Sequence, residues 1–144
     1  MVNVLFVCTG NTCRSPMAEA IFNSEWFGKG AAKSGGMFAS EGENAAINAI
    51  HVLKEHGIEV NHQSKQITKE DLDWAYLVLT MTSSHKNMLL NIFPGAADKI
   101  YTLKEYVNGH GTDLDVLDPY GGDVNIYRST FMELKELIKR IYEK

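Results

Sequence analysis

Cysteine is scarce in this sequence, with only Cys8 and Cys13 among 144 residues. Two cysteines five positions apart cannot build the disulfide framework of a small secreted protein, and their spacing matches no common zinc motif. The five histidines do not fall at the i, i+4 spacing of a helical metal site either. We therefore expect a protein of a reducing compartment that needs no metal ion or other cofactor.

A basic stripe and a long apolar run are also absent. The formal net charge is −4 and the lysines are scattered, which argues against nucleic acid or an anionic membrane as a main partner. The early apolar run, residues 2–7, is far too short for a signal peptide or a transmembrane helix. These absences predict a cytoplasmic protein, and we expect it to act as a monomer.

Length and composition predict a single domain over residues 1–144, since 44% apolar side chains suffice for one sizeable core. Predicted strands at 2–7, around 33–34, at 77–81 and at 100–103 alternate with predicted helices at 16–27, 44–56, 83–93 and 127–142. This alternation predicts an α/β three-layer sandwich, with a central four-stranded parallel sheet and helices on both faces. The loop after the first strand then lies at the carboxyl edge of the sheet, where ligands bind in such folds.

That first loop has the sequence Cys8-Thr9-Gly10-Asn11-Thr12-Cys13-Arg14-Ser15, and a helix is predicted from Pro16. The five residues between the cysteine and the arginine can wrap backbone N–H groups around a tetrahedral oxyanion. A guanidinium adds a planar fork of donors that binds two phosphate oxygens at once. The loop is therefore predicted to be a phosphate cradle with Cys8 as the nucleophile at its floor.

A cysteine attacks as its thiolate, and a free thiol with a pKa of about 8.5 is mostly protonated at neutral pH. Three features near Cys8 favour the anion: the inward-facing loop amides, the N-terminal end of the predicted helix and the charge of Arg14. Ser15 adds a hydroxyl within hydrogen-bond reach. We therefore predict a low pKa for the Cys8 thiol. Gly10 is predicted to supply a positive φ in this tight loop.

Displacing an alkoxide, phenoxide or amine from phosphorus requires a proton donor for the departing atom. The favoured donor is Asp118, which lies in the loop-forming segment 116–122 and precedes the rigid Pro119. Tyr120 either forms an aromatic wall beside the leaving group or only packs. Spacing leaves three other carboxylates open for the role of acid: Asp113, Asp115 and Asp123.

With these residues the chain resembles the low-molecular-weight protein tyrosine phosphatases along essentially its whole length. Besides the first loop and the Asp-Pro-Tyr at 118–120, the resemblance rests on Ser34-Gly35-Gly36, on residues 77–82 and on Phe93-Pro94. It implies that Cys8 is the nucleophile, Arg14 the phosphate clamp, and Asp118 the general acid and later the general base.

The resemblance also implies which residues support the loop. Asn11 is expected to hold its strained shape with the help of Ser34 and His62, and Ser15 to support the thiolate. The phosphate-binding set consists of Thr9, Gly10, Asn11, Thr12, Cys13, Ser15 and Tyr120. Gly35 stands where many members have alanine, which is expected to loosen the backbone there.

Thr12 bears on the substrate. Classical tyrosine-specific members usually have isoleucine or leucine in its place, whereas the loop Cys-Thr-Gly-Asn-Thr-Cys-Arg-Ser looks like that of the protein arginine phosphatases. A hydroxyl in place of an alkyl group suits the donor-rich guanidino group of phosphoarginine. We therefore predict hydrolysis of phosphoarginine in protein substrates, with phosphotyrosine as the alternative.

Other interpretations remain open at this stage. Cys13 either traps an oxidised Cys8 as a disulfide or packs as a small buried residue. An arsenate reductase resembles the family in this loop, but it relays a disulfide through cysteines that this chain lacks beyond Cys13. A non-catalytic phosphopeptide-binding module could use the same cradle.

Overall fold

Four parallel strands form one sheet in the computed structural model, which describes residues 2–143, and their order is β2-β1-β3-β4. The strands are β1 (Val2–Cys8), β2 (Gly30–Gly36), β3 (Leu77–Thr80) and β4 (Ile100–Thr102). The register pairs Cys8 with Gly36 on one side of β1 and Val7 with Thr80 on the other. The predicted α/β class and four-stranded parallel sheet are confirmed. The predicted domain, 1–144, also includes Met1 and Lys144, which lie outside the described residues.

Helices cover both faces of the sheet. They are α1 (Arg14–Glu25), α2 (Ile47–Glu55), α3 (Lys69–Trp74), α4 (Ser83–Ile92), α5 (Leu103–Asn108) and α6 (Val124–Lys139), with 3₁₀ helices at Pro94–Lys99 and Arg140–Glu143. No helix of the described part of the chain is long and apolar enough to cross a membrane.

The alternating side chains of β1 supply two separate apolar clusters. Phe6 points into the cluster that contains Phe22 of α1 and Phe131 of α6. Val7 belongs to the other cluster, together with Leu89 of α4. Successive strand residues point to opposite faces, so the apolar run at 2–7 is buried on both sides.

The structure adds two helices that the sequence analysis did not predict, α3 and α5. Each has only six residues and begins with a reciprocal cap, in which a threonine hydroxyl and a carboxylate three residues later bond each other's backbone N–H groups. The predicted helix 44–56 is shorter than expected, and the strand predicted around 33–34 is longer.

The strand order explains where ligands can bind. From the central β1 the chain goes first to β2 on one side and later to β3 on the other. This reversal leaves a crevice at the carboxyl end of β1, which is the usual binding position in open parallel sheets. Cys8 is the last residue of β1.

Candidate active site

The predicted cradle is a loop that connects β1 directly to α1 and surrounds a pocket of about 220 Å³. The pocket is lined by six loop residues (Cys8, Thr9, Gly10, Thr12, Cys13 and Arg14) and by Asp118 and Tyr120 from the distant loop. Asn11 and Ser15 are fully buried instead. The fold thus brings together residues that are more than a hundred positions apart.

Cys8 lies at the floor of this pocket. Its Sγ is 2.8 Å from Oγ of Ser15, and the side chain is 3% exposed. Burial raises the pKa of the thiol, while the hydrogen bonds from Ser15 and the charge of Arg14 act in the opposite direction. The predicted low pKa of the Cys8 thiol is therefore wrong, because the desolvation of a buried anion outweighs the donors around it.

Asn11 has the only positive φ, +58°, among the described residues other than glycine. Gly10 has no positive φ, so that prediction was wrong. Asparagine tolerates the left-handed region better than most residues, and its amide can fix this conformation through hydrogen bonds.

The amide of Asn11 makes three such bonds. Its Oδ1 accepts from the backbone N–H of Lys65 (3.0 Å), which fixes the orientation of the amide. Its Nδ2 then donates to Oγ of Ser15 and to Oγ of Ser34, both at 2.9 Å. Since the Ser15 oxygen already accepts from Asn11, its own hydrogen is free to point at the sulfur of Cys8.

The two predicted supporting residues both contact Asn11. His62 Nε2 lies 2.7 Å from the backbone oxygen of Asn11. Ser34 donates to Oε1 of Glu19 at 2.6 Å, and burial raises the pKa of this carboxyl. The hydrogen-bonded chain therefore runs from Cys8 through Ser15, Asn11 and Ser34 to Glu19.

The glycines of the Ser-Gly-Gly segment differ in what surrounds them. A Cβ at Gly36 would lie 2.5 Å from the backbone oxygen of Thr9. A Cβ at Gly35 would lie 2.5 Å from Cδ1 of Ile67, the far end of a side chain. The space beside Gly35 is filled by Ile67, so the missing methyl group leaves no void there.

Arg14 is the first residue of α1 and is 5% exposed. Its Nη1 donates to the backbone oxygen of Val116 at 2.9 Å, and its Nη2 lies 3.5 Å from Oδ2 of Asp118. Val116 in turn donates its N–H to the oxygen of Met81, just after β3. Sequence reasoning missed Val116, because a backbone carbonyl leaves no signature in the residue type.

The structure separates Asp118 from the three competing carboxylates. Asp113 pairs with Lys104, whereas Asp115 accepts from the N–H of Ser83. Asp123 caps α6. Asp118 lines the pocket, and its side chain is 51% exposed.

Asp118 is also held in place by its own loop. Its Oδ1 accepts from the backbone N–H of Tyr120 at 3.1 Å. The side chain of Tyr120 is 78% exposed at the mouth of the pocket. The ring of Tyr120 is therefore not part of the apolar core.

Cys13 and Thr12 also line the pocket. The Sγ of Cys13 lies 3.2 Å from the hydroxyl of Tyr127 on α6, and burial raises the pKa of that hydroxyl. Both cysteines are free thiols, and Cys13 is 6% exposed. The contact with Tyr127 agrees with the interpretation of Cys13 as a packing residue.

Sequence reasoning missed His85, the third residue of α4. Its Nε2 is 2.8 Å from Oγ1 of Thr9, and its Nδ1 is 3.0 Å from Oγ1 of Thr82. Burial and, after it, the charge of Arg14 lower the pKa of His85 to about 4. The imidazole is therefore neutral at pH 7 and ties the cradle to the start of α4.

Within residues 2–143, no group of three or more histidine, cysteine or carboxylate side chains is arranged to hold a metal ion. The residues that line the pocket supply two thiols, a guanidinium, hydroxyls and one carboxyl group.

Comparison with known families matches residues 3–144 to low molecular weight phosphotyrosine protein phosphatases. The chain is 52% identical over 141 residues to the protein-arginine-phosphatase of Geobacillus stearothermophilus, covering 98% of this chain and 94% of that protein. It is 39% identical over 140 residues to the low molecular weight protein-tyrosine-phosphatase PtpB of Staphylococcus haemolyticus, covering 97% of each.

Solved structures of the same family are similar to this chain along its length. The YwlE arginine phosphatase from Geobacillus stearothermophilus superposes with a TM-score of 0.94 at 50% identity, covering 99% of this chain and 92% of that chain. A mutant of YwlE arginine phosphatase with a phosphorylated active-site serine gives a TM-score of 0.93 at 43% identity, covering 99% and 94%.

Proposed function

The chain belongs to the low molecular weight phosphotyrosine protein phosphatase family, and from that premise we propose that it hydrolyses phosphoarginine in proteins. It is a cysteine-dependent protein phosphatase, with a free thiol at the floor of its pocket. The observation that carries the preference for phosphoarginine is the position of Thr12, which lines this pocket together with Asp118. A guanidino group brings several N–H donors, and a hydroxyl and a carboxylate can accept them.

In the first step, the thiolate of Cys8 attacks phosphorus in line while the bond from phosphorus to the guanidino nitrogen breaks. Arg14 and the loop N–H groups stabilise the phosphoryl oxygens. The carboxyl group of Asp118 gives its proton to the departing nitrogen, and arginine leaves as a guanidinium cation. The products are a phosphocysteine and the Asp118 carboxylate, which then faces a cation of opposite charge.

In the second step, the Asp118 carboxylate removes a proton from water, and the water oxygen attacks the phosphocysteine. The bond from sulfur to phosphorus breaks, which releases inorganic phosphate and restores the thiolate. Ser15 supports the sulfur each time it carries the negative charge, because its hydroxyl is 2.8 Å away. Because burial raises the pKa of the thiol, the loop depends on these donors to form the anion.

The proposal extends to the substrates, the oligomeric state and the cellular compartment. The substrates are phosphorylated proteins, and the chain acts as a monomeric single domain over residues 1–144 in the cytoplasm. The net charge of −4 and the absence of a basic stripe support a function away from nucleic acid and anionic membranes.

Phosphotyrosine hydrolysis is the second candidate activity. Tyr120 supports it, since its ring stands exposed at the mouth of the pocket where a substrate phenyl ring can stack. The arsenate reductase alternative lacks the further cysteines that its disulfide relay needs.

The test compares kcat/KM for a phosphoarginine peptide and a matched phosphotyrosine peptide. We expect the unmodified chain to favour phosphoarginine, and Thr12→Ile to reduce this ratio about tenfold or more. Thr12→Val removes the hydroxyl without adding length, so it should lower the ratio as well if the hydroxyl accepts the guanidino N–H donors. Faster hydrolysis of phosphotyrosine by the unmodified chain would overturn the proposal, as would a ratio that Thr12→Ile leaves unchanged.

A separate measurement distinguishes an enzyme from a binding module. Acid quenching during turnover is expected to trap a phosphoryl group on Cys8, and Cys8→Ser is expected to stop turnover. A module that only binds phosphopeptides would leave no covalent adduct.

A further inference from the structure

A second depression opens beside the pocket, and we call it the side groove. It has a volume of about 510 Å³ and shares Thr9, Arg14 and Asp118 with the pocket. Its walls beyond these shared residues are Phe38, Met88, Asp115 and Leu117, and Thr82, Ser84, His85 and Val116 complete it. The side groove therefore adjoins the pocket in which the phosphoryl group would sit.

Two large apolar side chains stand exposed at the side groove. Phe38 is 71% exposed and Leu117 is 70% exposed. Exposed apolar groups scattered singly need no explanation, but two that line one groove beside a reaction site mark a contact surface.

The backbone holds both side chains in a fixed relation to the cradle. The N–H of Phe38 donates to the oxygen of Thr9 at 2.9 Å. Leu117 lies between Val116, whose oxygen binds Arg14, and Asp118. The groove is thus built onto the same residues that hold the phosphoryl group, and little ordering is required when it is filled.

The side groove presents the negative charge of Asp115. Among the groove residues that the structure describes, the other carboxyl group is that of Asp118, the proposed proton donor, and His85 is neutral at pH 7. The cation among these described residues, Arg14, is buried and paired with Val116 and Asp118. An acidic side chain entering the groove would meet the like charge of Asp115, whereas an apolar one would bury its surface against Phe38 and Leu117.

We propose that the side groove binds the side chain next to the phosphorylated residue of a protein substrate and selects an apolar side chain over an acidic one. This inference rests on the proposed function and adds a sequence preference to it. The groove lies on one side of the cradle, so the preference applies to one of the two neighbours of the phosphorylated residue and not to both.

The experiment uses phosphoarginine peptides that carry leucine, glycine or aspartate at either neighbouring position. We expect kcat/KM to fall in the order leucine, glycine, aspartate at one position, with leucine about tenfold above glycine. At the other position the three peptides should differ little. Equal rates for all three peptides at both positions would overturn the inference.

Variants then locate the preference. Phe38→Ser and Leu117→Ser are each expected to bring the leucine to glycine ratio close to one. Phe27→Ser is the matched control, because Phe27 is 88% exposed and lies beyond the opposite end of the twelve-residue α1. A leucine to glycine ratio that stays high in both Phe38→Ser and Leu117→Ser would contradict the assignment of the preference to the side groove. Loss of this ratio in Phe27→Ser as well would also contradict it.

The charge of the groove is tested with Asp115→Asn, which keeps an oxygen to cap Ser83 but removes the negative charge. It should reduce the discrimination between glycine and aspartate, while Asp73→Asn on the exposed face of α3 should not. Failure of the proposed function and failure of the groove assignment give different results. If the proposed function fails, the glycine peptide itself is not hydrolysed. If only the groove assignment fails, the glycine peptide is hydrolysed and its neighbours do not matter.

Discussion

Asn11 combines a strained backbone with a fully bonded side chain. A non-glycine residue in the left-handed region costs roughly 1–2 kcal/mol, and here the cost is offset by hydrogen bonds to Ser15, Ser34 and Lys65. The same bonds orient the Ser15 hydroxyl toward Cys8. The residue therefore couples the shape of the loop to the charge of its sulfur.

Substitution of Asn11 separates the cost of its backbone conformation from the contribution of its side-chain hydrogen bonds. Asn11→Gly and Asn11→Ala both remove the amide, but only glycine fits φ +58° without strain. We expect both variants to lose activity, and Asn11→Ala to have the lower free energy of unfolding, by about 1 kcal/mol. Urea unfolding measures the difference. Equal stability of the two variants would show that the loop relaxes when the amide is lost.

His85 gives the fold a specific dependence on pH. Its folded-state pKa of about 4 lies below the ordinary value of 6.5, so the unfolded chain binds more protons between these two values. The contribution of His85 to stability is therefore complete above pH 6.5 and is lost as the pH falls toward 4. Asp115 and Asp118, which face the ring, favour its protonation, whereas Arg14 opposes it.

The predicted result is a smaller loss of stability between pH 6.5 and 4 in His85→Gln than in the unmodified chain. Carboxylates such as Asp71 and Glu105, whose pKa values are lowered, also weaken the fold in acid, but they do so in both proteins. His110→Gln serves as the control because His110 is 95% exposed. Parallel pH curves for the unmodified chain and His85→Gln would contradict the assignment.

At the scale of elements, long periodic segments were predictable and short ones were not. The apolar run of β1 and the periodic face of α6 have enough residues to reveal their period. The six-residue helices α3 and α5 have too few turns for a period, although their threonine caps at 68 and 102 were visible signals.

In the active site, residues that are close in the sequence were predictable and contacts between distant segments were not. Residues 8–15 are contiguous, so their meeting in one loop could be predicted from the sequence. The need for an acid left Asp113, Asp115 and Asp123 open beside Asp118, and only the fold places Asp118 alone among them at the pocket. Val116 and His85 act through a backbone oxygen and through a contact across 76 positions. Neither contact can be derived before the strand order is known.

The end of β2 supplies a matched pair of substitutions. A methyl group at Gly36 would collide with backbone atoms of Thr9 and Asn11, at 2.5 and 3.1 Å, whereas one at Gly35 would meet the mobile end of Ile67. We expect Gly36→Ala to cost about 1–3 kcal/mol and to lower kcat, because the cradle must move. Gly35→Ala should have the smaller effect on both. Urea unfolding and steady-state kinetics test this order, and a larger loss in Gly35→Ala would refute it.

At the scale of the whole molecule, the cradle joins segments from most of the chain. β1 supplies Cys8 and α1 supplies Arg14. Lys65 and Ser34 of β2 bond to Asn11 between them, and the backbone oxygen of Val116 accepts from Arg14. The central position of β1 makes this assembly possible. An anion held there contacts the folded protein and finds no comparable site in the unfolded chain.

Inorganic phosphate should therefore stabilise the entire fold, because a ligand that binds only the native state shifts the unfolding equilibrium. At a hundred times its Kd, the gain is about 2.7 kcal/mol, which should raise Tm by several degrees in a chain of this size. Arg14→Lys keeps the charge but loses the planar fork, so phosphate should raise its Tm much less. Each protein is compared with itself in chloride of equal ionic strength, so any instability of the variant itself cancels. An equal phosphate-induced rise in both proteins would show that charge alone, and not the guanidinium geometry, holds the anion in the cradle.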